Sequence, residues 1–288
     1  MPSPKLPSLP KRLPDSHKGD FGTALIVGGS LGMAGAPGLS AMAALRSGAG
    51  LVKVAVPDVC QATVAALEPS YMTIALASDG QGRVAESAAE ALLAAASAAT
   101  AVGCGPGLGR SEGITRLVAE LYRTLERPMV IDADALNALA ERRDALAEHA
   151  GPRILTPHPG EFARLLNVKR IAADERSERA TEFAARSGAV VVLKGYKTVI
   201  NDGRQSALNE TGNPGMATGG TGDVLTGIIT ALLCQKLAPY DAARLGAHVH
   251  GLAGDLAASQ LGEIGMIASD LLMSLPHAFL LVGGDAQS

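Results

Sequence analysis

The apolar and polar positions of this chain alternate between two rhythms. Short apolar runs at Ala24–Val27, Leu51–Val56, Thr73–Ala77, Ala101–Val102, Met129–Asp132, Ile154–Thr156 and Val190–Leu193 are separated by segments with helical spacing, among them Pro37–Ser47, Glu86–Ala98, Ser111–Leu125 and Asp174–Arg186. Runs apolar throughout suit strands buried on both faces, so the pattern predicts βαβ units and a parallel sheet with helices on both sides. Thr198–Asn201 and Gln205–Leu208 then flank Asp202-Gly203, a hairpin signal that predicts an antiparallel edge. From Thr221 onward the pattern is helical, opening with the apolar run Val224 to Cys234. Prolines punctuate Met1–Pro14, which shows no period and is expected to form a flexible arm. No linker divides residues 15–288, so one doubly wound, mostly parallel α/β domain is expected there.

In such a sheet ligands bind beyond the carboxyl ends of the strands, and several of those loops are unusual. Gly28-Gly29-Ser30 to Pro37 and Gly103-Cys104-Gly105-Pro106-Gly107-Leu108-Gly109 each let backbone approach a ligand closely; the first alone reads equally as a plain glycine hinge, but two such loops in one sheet favour a shared cleft. Asp132-Ala133-Asp134 places two carboxylates at a strand end, where they can hold Mg²⁺ through water, orient a polar substrate, or simply cap a helix. Thr156-Pro157-His158-Pro159-Gly160-Glu161 fixes a histidine between two prolines, which favours ligand contact over a structural role. Lys194-Gly195-Tyr196-Lys197-Thr198 brings a cation to a strand end, suited to phosphate neutralisation, with a solvated surface lysine as the competing reading. His248 and His250 lie two apart on a helix and point to different faces, so they are not expected to share a metal ion.

The most informative segment is Asn213-Pro214-Gly215-Met216-Ala217-Thr218-Gly219-Gly220-Thr221-Gly222-Asp223, directly before the apolar run at Val224. A glycine-rich turn at a helix N-terminus gathers unsatisfied N–H groups and the positive end of the dipole, an anion cradle. Asp223 in that cradle is a poor phosphate ligand but is well placed to take a proton from a hydroxyl attacking a phosphate. A plain aspartate cap would not need four glycines in eight residues. The segment lacks the Gly-Lys-Ser/Thr of a P-loop, Leu108 stands where a dinucleotide fingerprint needs its third glycine, and Ser30 stands where the first loop would need its second.

Composition narrows the partners. The 288 residues are 47% hydrophobic with a net charge of −3, which provides a large core and no basic field for nucleic acid or anionic membranes. Cys60, Cys104 and Cys234 are far apart without metal-ligand spacing, and read as reduced thiols in a cytoplasmic protein. No signal peptide and no membrane-spanning segment is expected. Aromatics make up only 3%, in keeping with helices packed closely on the sheet.

Taken together these motifs resemble the ribokinase-like fold and, within it, the ADP/ATP-dependent NAD(P)H-hydrate dehydratases. The resemblance runs from His17-Lys18-Gly19 through Gly28-Gly29-Ser30, Gly105-Pro106-Gly107-Leu108-Gly109, Asp132-Ala133-Asp134, the His158 loop and Lys194-Gly195 to Gly219-Gly220-Thr221-Gly222-Asp223, then His250-Gly251 and Gly254-Asp255. Gly-Thr-Gly-Asp marks the kinase superfamily, whereas the histidine loop and the His-Lys-Gly start are more specific. The resemblance implies that Ala36, Gly107, His158 and Asp223 line the hydrated-cofactor site, and that Lys194, Gly195, Tyr196, Lys197, Thr198 and Gly222 contact the adenine nucleotide. It implies Mg²⁺ with ADP or ATP as phosphoryl donor, ADP being usual in bacterial-type members, and Asp223 as the catalytic base. It also implies phosphorylation of the S-form of the hydrate followed by loss of phosphate. A homo-oligomer, such as a tetramer, is expected, with the companion epimerase on a separate chain.

Two rivals remain at this stage: a small-molecule kinase of the same fold acting on a vitamin or thiazole alcohol, and a non-catalytic nucleotide sensor. Release of orthophosphate with a reduced nicotinamide identifies the dehydratase and a phosphoester product the kinase, whereas a sensor would tolerate loss of Asp223.

Overall fold

The computed structural model describes residues 5–284; the first four residues of the expected N-terminal arm and the last four of the segment expected to be helical lie outside them. The strands are β1 (Thr23–Val27), β2 (Leu51–Pro57), β3 (Met72–Leu76), β4 (Ala101–Cys104), β5 (Met129–Ile131), β6 (Arg153–Leu155), β7 (Val190–Leu193), β8 (Val199–Asn201) and β9 (Ser206–Leu208). The helices are α1 (Gly35–Arg46), α2 (Asp58–Ala65), α3 (Ala89–Ser97), α4 (Glu112–Thr124), α5 (Ala133–Glu141), α6 (Pro159–Leu166), α7 (Arg176–Ser187), α8 (Thr221–Cys234), α9 (Pro239–Leu261) and α10 (Ala268–Gly284). The strands form one sheet in the order β3-β2-β1-β4-β5-β6-β7-β8-β9. β1 to β7 are parallel, and β8 and β9 join antiparallel at the edge, as the hairpin signal predicts.

Strand side chains alternate between two buried layers, which is why the strands read as unbroken apolar runs. On one face Ala24, Ile26, Val52 and Val54 pack with α1, α8, α9 and α10; on the other Leu25, Val27, Val102 and Ile131 pack with the layer of α3 to α7. The expected arm has no regular structure from residue 5 to 13, yet Arg12 stacks on the Phe21 ring at 3.8 Å and donates to Gly48 O at 2.8 Å, so part of it lies against the body.

The boundary that matters most falls where the helical pattern places it. α8 begins at Thr221, because Gly220 adopts φ 93° and turns the chain into the helix one residue before. Asp223 therefore sits inside the first helical turn.

Candidate active site

The chain runs β1, β2, β3 outward in one direction and then returns to place β4 on the other side of β1. That reversal opens a crevice beyond the carboxyl ends of β1 and β4, where the two glycine-rich loops emerge. They pack on one another: Gly29 N donates to Pro106 O at 2.8 Å and Ser30 Oγ to Gly107 O at 2.8 Å. A Cβ on Gly28 would lie 2.2 Å from Pro106 O, so this approach excludes any side chain there.

Helix α8 points its N-terminus into the same crevice. Val224 is the first residue whose N–H meets a carbonyl of the turn, Gly220 O at 3.2 Å, which leaves the N–H groups of the preceding turn directed outward. Ser40 on α1 sets the register, its hydroxyl donating to Asp223 O at 2.7 Å and reaching Ala36 O at 3.3 Å. A Cβ on Gly107 would touch the Ala36 Cβ at 3.2 Å. Ala36, Gly107 and Asp223, far apart in sequence, thus form one wall.

Beside them lies a buried ionic network. Asp132, 1% exposed at the end of β5, accepts from Lys194 Nζ at 2.7 Å and from Thr226 Oγ1 at 2.8 Å. Lys194 Nζ is also 4.0 Å from Glu161 Oε2, and a Cβ on Gly222 would lie 3.2 Å from it. Burial, then Asp132, then Asp134 and Glu161 push the Asp223 carboxyl up to about 7, with Lys194 opposing. Burial also raises Glu161, against Lys194. Burial alone would lower Lys194, but Asp132 and Glu161 outweigh it and hold the ammonium form. A carboxylate that protonates near neutrality beside a fixed cation is suited to receiving a proton.

Two expectations are revised by this geometry. Asp132 and Asp134 do not work as a pair: Asp132 serves Lys194 and Thr226, while Asp134 accepts from Gly109 N at 2.9 Å and from Asn137 Nδ2 at 3.3 Å. No three His, Cys, Asp or Glu side chains come together as a metal cluster among the described residues. His158 has a structural task that the proline argument set aside. It caps α6, its Nδ1 accepting from Gly160 N at 3.0 Å and Glu161 N at 3.3 Å, while Glu161 Oε2 accepts from His158 N at 2.8 Å. Its side chain remains half exposed, and burial, Lys194 and Arg164 lower its pKa. His158 Nε2 lies 3.3 Å from Glu161 Oε1, which ties it to the Lys194 network.

On the far side of Gly222 is a cavity of about 530 Å³. Lys194, Gly195, Tyr196, Lys197, Thr198 and Gly222 all line it, together with Asn209, Thr211, Met216 and His250. His250 places Nε2 2.8 Å from Thr221 O and thereby fastens the first turn of α8 to α9; burial drives its pKa down to about 4. Asp255 on α9 accepts from Gly212 N at 2.9 Å and Asn213 Nδ2 at 3.0 Å, holding the loop that closes the cavity. Sequence reasoning gave these residues no role, although His250-Gly251 and Gly254-Asp255 were visible as motifs. It also missed Thr226, whose signal was its place one turn beyond Gly222 on the same helix face.

A family model described as NAD(P)H-hydrate dehydratase matches residues 24–277. The chain is 48% identical over 272 residues to the bifunctional NAD(P)H-hydrate repair enzyme of Moorella thermoacetica, covering 93% of this chain and 51% of that protein. It is 41% identical to the ADP-dependent (S)-NAD(P)H-hydrate dehydratase of Neisseria meningitidis, covering 90% of this chain and 86% of the relative. The crystal structure of an ADP/ATP-dependent NAD(P)H-hydrate dehydratase from Bacillus subtilis, co-crystallised with ATP and Mg²⁺, superposes with a TM-score of 0.79 at 31% identity, over 98% of this chain and 99% of that one. The chain spans about half the length of the bifunctional relative.

Proposed function

Since the chain belongs to the NAD(P)H-hydrate dehydratase family, whose members are lyases, we propose that it dehydrates the S-form of hydrated NADH and NADPH at the expense of ADP or ATP. The observation that carries the reading is Asp223, held in the first turn of α8 between the Ala36–Gly107 wall and the cavity at Lys194 and Gly222. In this scheme the adenine nucleotide lies in the cavity, with Lys194, Gly195, Tyr196, Lys197, Thr198 and Gly222 as contacts, and the hydrated ring lies against Ala36, Gly107 and the outer edge of His158.

Asp223 takes the proton of the ring hydroxyl as that oxygen attacks the terminal phosphoryl group, and the N–H groups of the α8 turn stabilise the charge on the transferred group. The C–O bond then breaks: the lone pair of the ring nitrogen expels orthophosphate from the adjacent carbon, and a proton leaves the neighbouring carbon to restore the double bond. ADP ends as AMP and ATP as ADP. The residues suit Mg²⁺ carried mainly by the nucleotide phosphates, since Asp132 is already engaged by Lys194 and Thr226. When bound, the ion would offset phosphate charge.

Three buried free cysteines accord with a reducing cytoplasm. The exposed apolar side chains Met273, Leu280 and Leu281 on α10 support a homo-oligomer. Because the relatives of about twice this length are named bifunctional, an epimerising activity is expected to accompany this one, whether fused or separate.

The test is to incubate the protein with S-NADH hydrate, Mg²⁺ and either ADP or ATP, following near-ultraviolet absorbance and free phosphate together. A nucleotide-dependent rise matched by phosphate is the expected result. No absorbance change with either nucleotide would sink the reading, and a stable phosphoester would move the assignment to a vitamin-type kinase.

A further inference from the structure

A second groove, of about 400 Å³, opens beyond Asp134 and shares no residue with the nucleotide cavity. Arg110, Arg143, Arg164 and Lys169 line it. Its one lining carboxylate, Glu141, accepts from Thr115 Oγ1 at 2.8 Å. In a chain of net charge −3, four cations around one groove run against the overall sign.

The groove is built and is joined to the active site. Arg164 Nε donates to Asn137 Oδ1 at 2.9 Å, and Asn137, 7% exposed, passes its own Nδ2 to Asp134 Oδ1 at 3.3 Å. Asp134 in turn accepts from Gly109 N at 2.9 Å, on the loop that carries Gly107. Arg110 Nε stands 3.5 Å from Asp134 Oδ1. A Cβ on Gly160 would lie 2.9 Å from the His158 ring and 4.0 Å from Arg164 Nη1, so both side chains flank Gly160. The loop that carries Gly107 is thus joined through Gly109, Asp134 and Asn137 to Arg164, and His158 and Arg164 flank the same glycine.

A hydrated dinucleotide is far longer than its reacting ring, and beyond the ring it carries a pyrophosphate and, in the NADPH form, a 2′-phosphate. Guanidinium forks and ammonium groups match those phosphates. We propose that this groove binds the phosphates of the dinucleotide substrate, with Arg143, Arg164 and Lys169 as the contacts. The inference rests on the dehydratase reading above.

The experiment compares wild type with the double variant Arg143→Ala/Lys169→Ala, both exposed residues, and with Arg164→Ala, measuring kcat and KM for both hydrates at saturating nucleotide. The KM for hydrate is expected to rise about tenfold, as loss of a charge-assisted phosphate contact implies, with kcat and the nucleotide KM nearly unchanged. Arg164→Lys should recover part of the loss. A rise with NADPH hydrate alone places the 2′-phosphate in the groove, and a rise with both hydrates places the pyrophosphate there. Unchanged KM for both hydrates in folded variants overturns the proposal, whereas an inactive wild type defeats the dehydratase reading instead. If Arg164→Ala melts early, the double variant carries the test alone.

Discussion

Arg153 and Lys194 are both cations withdrawn from water at opposite edges of one sheet, and they lead different lives. Arg153, 1% exposed at the amino end of β6, gives its N–H groups to backbone carbonyls: Tyr122 O at 2.6 and 3.0 Å, Leu125 O at 2.5 Å, Pro152 O at 3.0 Å and Arg127 O at 3.2 Å. It neutralises the negative end of α4, and burial lowers its pKa only to about 10, so it stays charged. Lys194, beyond the carboxyl end of β7, faces Asp132 and Glu161 and borders a cavity. Carbonyl partners leave a charge with nothing to exchange. Carboxylate partners beside open space hold the ammonium in place with one side still open to a ligand in the cavity. Size does not draw the distinction: a groove of about 630 Å³ lies near Arg123, Arg142 and Glu148, larger than the cavity at Lys194, but the pairs there, Arg123 with Glu148 at 3.1 Å and Arg142 with Asp144 at 3.6 Å, are exposed to water.

The contrast predicts that the two edges separate activity from stability. The largest effect is expected for Asp223→Asn, which should lower turnover by ~10²–10⁴, the usual loss with a general base, without lowering the melting temperature, since it relieves a carboxylate crowded by Asp132 and Asp134. Near-normal hydrate turnover would remove Asp223 from the mechanism. Arg153→Met should do the reverse. It strands buried carbonyls and is expected to cost about 3 kcal/mol in a denaturant titration, while the folded fraction keeps its kcat/KM. A loss of activity beyond the unfolded fraction would break the division of labour.

Gly222→Ala sharpens the comparison at closer range. Its Cβ would sit 3.2 Å from Lys194 Nζ, the movable end of a side chain, so about 1 kcal/mol, or roughly fivefold in nucleotide KM, is expected in steady-state kinetics. The smallest effects concern pH. Asp223 must be ionised to act, so kcat/KM should climb along a limb near pH 7 and level off above it. For stability its folded pKa lies above the ordinary 3.8, so the contribution is full below that value and is lost as pH rises through about 7; Asp223→Asn should abolish the loss. His250 has the opposite sign. Its pKa is depressed from 6.5 to about 4, so its contribution is present above about 6.5 and fades as pH falls toward 4. Melting curves of His250→Gln should be flatter across that acid range.

The sheet was legible because its central strands are buried on both faces, and the antiparallel edge because Asp202-Gly203 announces its own turn. The residues gathered at the carboxyl edge were also legible as motifs. Less visible was what each side chain spends itself on. His158 could be seen between its prolines, but its use of Nδ1 as a helix cap depends on where Glu161 points. The pairing of Asp132 with Lys194 joins residues 62 apart in sequence, and no local pattern encodes it. Ser40, which aligns Ala36 with Asp223, reads as an unremarkable helical serine until α1 and α8 are seen to cross. Glycine and motif spacing report backbone requirements, whereas charge pairing across strands is a property of the assembled edge.

Ala133 turns the chain from β5 into α5 at φ 48°, a left-handed conformation that alanine adopts at a cost of about 1 kcal/mol. Its side chain forms no part of the ionic network on either side of it. Glycine or asparagine would occupy the same corner with less strain, so position 133 offers evolution a route to a more stable protein that leaves the neighbouring carboxylates in place. Retaining alanine keeps the corner stiffer than glycine would, and variation among these three residues should change stability rather than activity.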